Sequence, residues 1–192
     1  MEKVVSPEGF WDVYSAKLNQ ERNWEAYQGD ASWTRVVMKV AKETCKKLGL
    51  ETSKEYYRVD LVGYRREEPE VEGNWWLDVA YEHENADTWW GELCKLCYVA
   101  ADLRVISSYY KLGRADKSAE ETIEDKLRGY LGQLGKEKIF RIPNSQWLFV
   151  FGPRLVCAAE PFRAFTIDDE LSIRPLPGGE RVVPQDWKRQ NS

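Results

Sequence analysis

Glu82 and Glu84 stand two residues apart in the stretch Trp75-Trp76-Leu77-Asp78-Val79-Ala80-Tyr81-Glu82-His83-Glu84-Asn85. An apolar start and an acidic end make this stretch read as one β-strand. Residues alternate faces along a strand. Trp76, Asp78, Ala80, Glu82 and Glu84 therefore share one face, and Trp75, Leu77, Val79, Tyr81 and His83 the other. At a rise of roughly 3.4 Å per residue the two glutamates lie about 7 Å apart. Like charges that close on a half-buried face repel unless a cation or a proton sits between them. The chemistry this suits is the binding of a divalent metal. The plain alternative is a strand that runs out into solvent with charges at its tip.

A third carboxylate extends the pattern. Asp60 sits in the middle of residues 56–64, a stretch rich in β-formers. Asp is unfavourable there by propensity and costly if buried unpaired. The charged connection 65–73, with Pro69, makes the two strands a hairpin, which puts Asp60 and Glu82 on antiparallel neighbours. Asp60, Glu82 and the backbone carbonyl of His83 are then candidate ligands of one ion. The structural alternative is that Arg58 or backbone amides hold Asp60. His83 is the single histidine, which rules out a His-rich zinc site. Its ring points to the opposite face and reads as packing or hydrogen bonding. Lys95, on the next helix, either sends its ammonium back into the site or is solvated and paired with Glu92 or Glu84. Asp78 is a neighbour of the site or a partner for Arg58 or Arg104. Glu43 is a solvated carboxylate or an extra ligand.

These residues need elements to hold them. Ser6-Pro7 reads as an N-cap followed by proline at the first helical position, with Phe10, Val13, Tyr14 and Leu18 at helical spacing. Residues 23–32 read as a loop. A second helix spans about 34–48, with Val37, Val40, Ala41, Thr44, Cys45 and Leu48 as its apolar stripe and Gly49 as its stop. A third runs from Trp89 to about Ala101, burying Leu93, Leu96, Cys97 and Ala100. The strand 103–110 follows, and a helix between strands fits a crossover to a parallel neighbour. A basic loop fills 111–117. Ser118 and Glu121 have the form of a capping box, opening a helix with Ile123, Leu127, Tyr130, Leu131 and Leu134 that Gly135 closes. Strands are expected at 146–151, 155–158, 163–167 and 171–176. The fold class is α/β: a mixed central β-sheet flanked by helices, with additional C-terminal strands. Residues 1–176 read as one domain and 177–192 as a flexible tail anchored by little besides Trp187.

Composition narrows the function. The chain has 192 residues and a net charge of −4, which gives no global attraction to nucleic acid or anionic membranes. A nucleic-acid partner would need a local basic patch or a bridging metal. No apolar run approaches the ~20 residues that span a bilayer, and the N-terminus lacks a signal-peptide core. A cytoplasmic protein with no membrane partner is expected. Among the four cysteines, Cys94 and Cys97 form a CxxC inside a helical pattern, and read as core thiols. Nine tryptophans are mostly packing. A glycosidase would need two acids on opposite sides of a bond, and Glu82 with Glu84 offers poor geometry for that.

The order helix, strand with Asp60, strand with Glu82-His83-Glu84, helix, strand, helix resembles the PD-(D/E)XK nuclease superfamily over about residues 34–134. The resemblance implies a restriction-endonuclease-like core. It implies Asp60 and Glu82 as catalytic carboxylates, and Mg²⁺ or Mn²⁺ on Asp60, Glu82 and the His83 carbonyl. It also implies DNA ahead of RNA as partner. A homodimer suits duplex cutting, and a protein partner suits an assembly role. Glu84 occupies the family's lysine position. Three outcomes follow: Glu84 serves as general base or second-metal ligand, Lys95 supplies the missing ammonium, or the protein is an inactive binding module of the same fold.

Overall fold

In the computed structural model, Ser6 starts the first helix as its neighbours dictate. Residues 5–21, 30–56, 58–65, 77–84, 89–110, 118–137, 146–153, 161–168 and 170–178 are described. The Ser6 hydroxyl accepts the Gly9 N–H at 3.1 Å, and Pro7 loses no hydrogen bond at the first helical position. Helix α1 (Pro7–Gln20) buries Phe10, Trp11, Tyr14 and Leu18. Trp11 takes a core place expected of Val13, which stays half-buried. Helix α2 (Asp30–Lys47) begins earlier than expected and buries Trp33 and Val36 besides Val37, Val40, Ala41, Thr44 and Cys45 of the foreseen stripe, while Leu48 lies half-buried just past its end. Gly49 ends it at φ 80°. Lys17 of α1 bridges to Glu43 of α2 at 3.2 Å, so Glu43 is an interhelical ion-pair partner.

Among the described residues, seven strands form one sheet in chain order. They are β1 (Glu51–Tyr56), β2 (Val59–Tyr64), β3 (Leu77–His83), β4 (Ala101–Tyr110), β5 (Gln146–Pro153), β6 (Arg163–Ile167) and β7 (Ile173–Pro175). The β3–β4 and β4–β5 pairs are parallel and the other four antiparallel. The sheet is therefore mixed, as expected. Helix α3 (Trp90–Cys97) connects β3 to β4, and α4 (Ala119–Glu137) connects β4 to β5. Two crossovers of one hand, stepping the same way across the sheet, leave both helices on one face. They cover Val62, Ala80, Ile106 and Phe149. Helices α1 and α2 cover Leu61, Val79, Tyr81, Val105 and Leu148 on the other. The alternation read from 77–83 thus divides that strand between two buried faces. No helix among the described residues is long and apolar enough to cross a membrane.

Several boundaries differ from expectation, each for a local reason. Residues 56–64 are not one strand: Arg58 turns at φ 66°, separating β1 from β2. Strand β1 was missed because it is a polar, largely exposed edge. Helix α3 stops at Cys97, and Ala100 is exposed because the chain needs room to enter β4 at Ala101. Helix α4 passes Gly135 and ends at Glu137. Its capping box forms as foreseen: Ser118 N–H donates to Glu121 Oε2 at 2.8 Å and Glu121 N–H to Ser118 Oγ at 3.2 Å. The expected strand 155–158, the loop 111–117, Trp75, Trp76, Asn85 and residues 179–192 lie outside the described residues. The start of the expected tail is held: Leu176 is buried, and the Trp11 indole donates to the Pro177 carbonyl at 3.1 Å.

Candidate functional site

The site lies where β2 and β3 part. Their backbone ladder pairs Gly63 with Val79, Val62 with Ala80 and Leu61 with Tyr81. At the next position on β2 the Asp60 side chain takes over: its Oδ2 accepts the His83 N–H at 2.9 Å. Continuing the register places Asp60 across from Glu82, so the two carboxylates share a face. Asp60 is therefore held by a backbone amide, one of the two holders its position in a strand demanded.

Glu82 is 1% exposed. Helix α3 follows β3 directly and lies on the same face. It brings the Lys95 ammonium to 2.7 Å from Glu82 Oε1. The same ammonium donates to the Arg58 carbonyl at 3.0 Å. Burial pushes the Glu82 carboxyl up to about 8, with the Asp60 charge acting the same way and Lys95 opposing it. The Glu82 carboxyl therefore holds its proton to a higher pH than a free glutamate does. Asp60, Glu82 and Lys95 converge, and Lys95 pairs with Glu82 instead of with Glu92 or Glu84.

Glu84 is placed differently. It sits one residue past β3, half-buried, and its N–H donates to the Ser107 carbonyl at 3.0 Å. The charges that act on Glu82 are those of Asp60 and Lys95. Asp78 pairs with Arg65 at 2.9 Å and also accepts the Arg65 N–H at 2.9 Å. Arg104 is buried, caps the Val99 carbonyl at 2.7 and 2.9 Å, and lies over the Trp147 ring. Burial pulls its guanidinium down to about 10.

The His83 ring lies on the α1–α2 face, in a buried chain of hydroxyls. Tyr14 and Tyr81 meet at 3.1 Å, and Tyr81 donates to Ser107 Oγ at 2.7 Å. Ser107 Oγ meets His83 Nδ1 at 2.6 Å, and His83 Nε2 meets the Tyr109 hydroxyl at 3.0 Å. Such a chain, satisfied along its length, fixes side chains in one arrangement. It anchors the ring of the residue whose N–H holds Asp60. Sequence reasoning missed Ser107 and Tyr109. Their signal was a hydroxyl at 107 and at 109, continuing the face of β4 that carries Leu103 and Val105.

The donor set suits a hard cation. Asp60 and Glu82 offer carboxylate oxygens. The N–H and C=O of a residue in a strand project to the same side, so the His83 carbonyl looks toward β2 and Asp60 as its N–H does. Mg²⁺ and Mn²⁺ accept one or two carboxylates and complete their shells with water or substrate oxygens. Among the described residues no group of three or more His, Cys, Asp or Glu side chains converges, so the side-chain set is a pair. Cys94 and Cys97 are thiols and not a disulfide, and burial pushes the Cys97 thiol up to about 11. That keeps it protonated at neutral pH, as a core thiol.

No protein-family model, curated protein or solved structure matches the chain.

Proposed function

We propose that Asp60 and Glu82 form a divalent-metal site for hydrolysis of phosphodiester bonds in DNA, in the manner of the PD-(D/E)XK nucleases. The observation that carries this is the placement of Lys95. A buried carboxylate opposite a second one has an ammonium at 2.7 Å, delivered from the helix that follows. The acidic residue in the motif lysine position is then no obstacle, because Lys95 brings the missing charge from another element. Asp60, Glu82 and the His83 carbonyl would hold Mg²⁺ or Mn²⁺. When bound, the ion supplies an activated water and neutralises charge on the phosphate. This chain's own groups do the rest. The His83 N–H orients Asp60, the α3 face excludes water from Glu82, and Lys95 offers a proton donor or charge beside the reacting oxygens.

The test is cleavage of supercoiled DNA by purified protein in Mg²⁺ or Mn²⁺. Wild type should cut, and Glu82→Ala and Lys95→Ala should lose the activity. Equal cutting by Glu82→Ala refutes the assignment. The second reading is a non-catalytic binding or assembly module of the same fold. It draws on the ion pair itself, since Lys95 already offsets the Glu82 charge without a metal. Calorimetric titration separates the two: Mn²⁺ binding that Asp60→Asn abolishes counts against the module.

A further inference from the structure

Arg58 turns the chain from β1 into β2 with φ 66°. That left-handed conformation suits glycine or asparagine, and a long side chain there is strained. Lys95 holds it in place, donating to the Arg58 carbonyl at 3.0 Å while touching Glu82 Oε1 at 2.7 Å. One lysine therefore ties the turn to the acid pair, and Arg58 stays within a side chain's reach of both carboxylates. The guanidinium is exposed, and among the described residues no carboxylate pairs with it. Strained residues that the fold holds in place cluster at functional sites. The chain carries a net charge of −4. Two of its carboxylates line this site, so an approaching polyanion is repelled unless a local cation meets it.

We infer that Arg58 is the substrate-positioning phosphate contact of this site. Its planar guanidinium takes the backbone phosphate next to the one at the acid pair, through paired N–H donors. Such a contact fixes the strand's place without reading its sequence. The inference rests on the proposed nuclease reading of Asp60 and Glu82, and adds the group that seats the DNA.

The experiment is fluorescence anisotropy of a short labelled DNA duplex with full-length protein, in Mg²⁺ and again in EDTA, over a range of salt. Arg58→Asn keeps the left-handed turn without strain, so its Tm should not fall. Its affinity should fall about five- to tenfold, and its slope of log affinity against log salt should flatten by about one unit. Arg58→Lys keeps the charge and should keep most of the slope. Wild-type affinity and slope in Arg58→Asn would overturn the inference alone. A salt slope that flattens as much in Arg58→Lys, which keeps the charge, as in Arg58→Asn would show that the change does not come from a phosphate contact, and would overturn the inference as well. A wild type that binds no DNA in either condition overturns the nuclease reading, and this inference with it.

Discussion

Replacing Glu82 with Gln isolates the proton on the acid pair from every other titration in the protein. Glutamine has the shape of the protonated acid: its oxygen can face Lys95 and its amide can donate toward Asp60. In the unfolded chain Glu82 ionises near its ordinary value of 4.5, and in the fold it is pushed up to about 8. Between those values the folded protein keeps a proton that the unfolded chain has lost. Stability from this group is complete below 4.5, drains away as pH rises, and levels off above about 8. At about 1.36 kcal/mol per pH unit, the full window removes on the order of 5 kcal/mol. Glu82 is 1% exposed, so solvent screening reduces this little. The assay is urea unfolding of wild type and Glu82→Gln from about pH 5 to about pH 9. Every other ionisable group is common to both proteins, so the difference between them reports Glu82. Wild type should lose several kcal/mol relative to Glu82→Gln across the range, a shift of roughly 1.5–2.5 M in urea midpoint at about 2 kcal/mol/M. A difference that stays constant with pH refutes the reasoning. A wild type that gains on the variant as pH rises would mean that the Lys95 attraction outweighs burial.

Lys95→Met keeps the stem and removes the charge that opposes burial at Glu82. The Glu82 carboxyl, followed by carbon-13 NMR, should then titrate above about 8, and an unmoved or lower midpoint refutes the pairing. Ser107→Ala takes away the partner shared by Tyr81 and His83. It should cost about 1–3 kcal/mol in urea unfolding, and a change near zero would show that the hydroxyl chain is not coupled to stability. Gly152→Ala places a Cβ 2.6 Å from Phe162 Cε1, and that ring packs at 6.0 Å from Trp33. The expected loss is about 1–3 kcal/mol, and a neutral result would mean that Phe162 has room to move.

Elements whose signal is local were legible. The Ser6 and Ser118 caps, the Gly49 stop and the apolar stripe of α2 depend on residues within a turn or two. The structure places each as read. The antiparallel neighbours β2 and β3, the parallel step to β4 and the helix between them were also legible, because short connections leave few topologies. Elements set by distant packing were harder. The polar edge β1 carries no apolar alternation of its own and exists because β2 offers it a partner. The end of α3 is fixed by where β4 must begin, which no helical periodicity records.

The candidate site divides the same way. By itself the sequence determined that Asp60 and Glu82 sit on neighbouring antiparallel strands, while the register that brings them to one face came from the structure. The sequence also placed the His83 ring on the opposite face. Only the tertiary structure decided which charges meet. Asp78 went to Arg65 and Glu43 to Lys17, partners that spacing did not suggest, and Lys95 went to Glu82. Side-chain pairing depends on how a helix rotates and docks against the sheet, and on which carboxylate that docking buries. The burial that pushes the Glu82 carboxyl up exists only once the helices pack on the sheet.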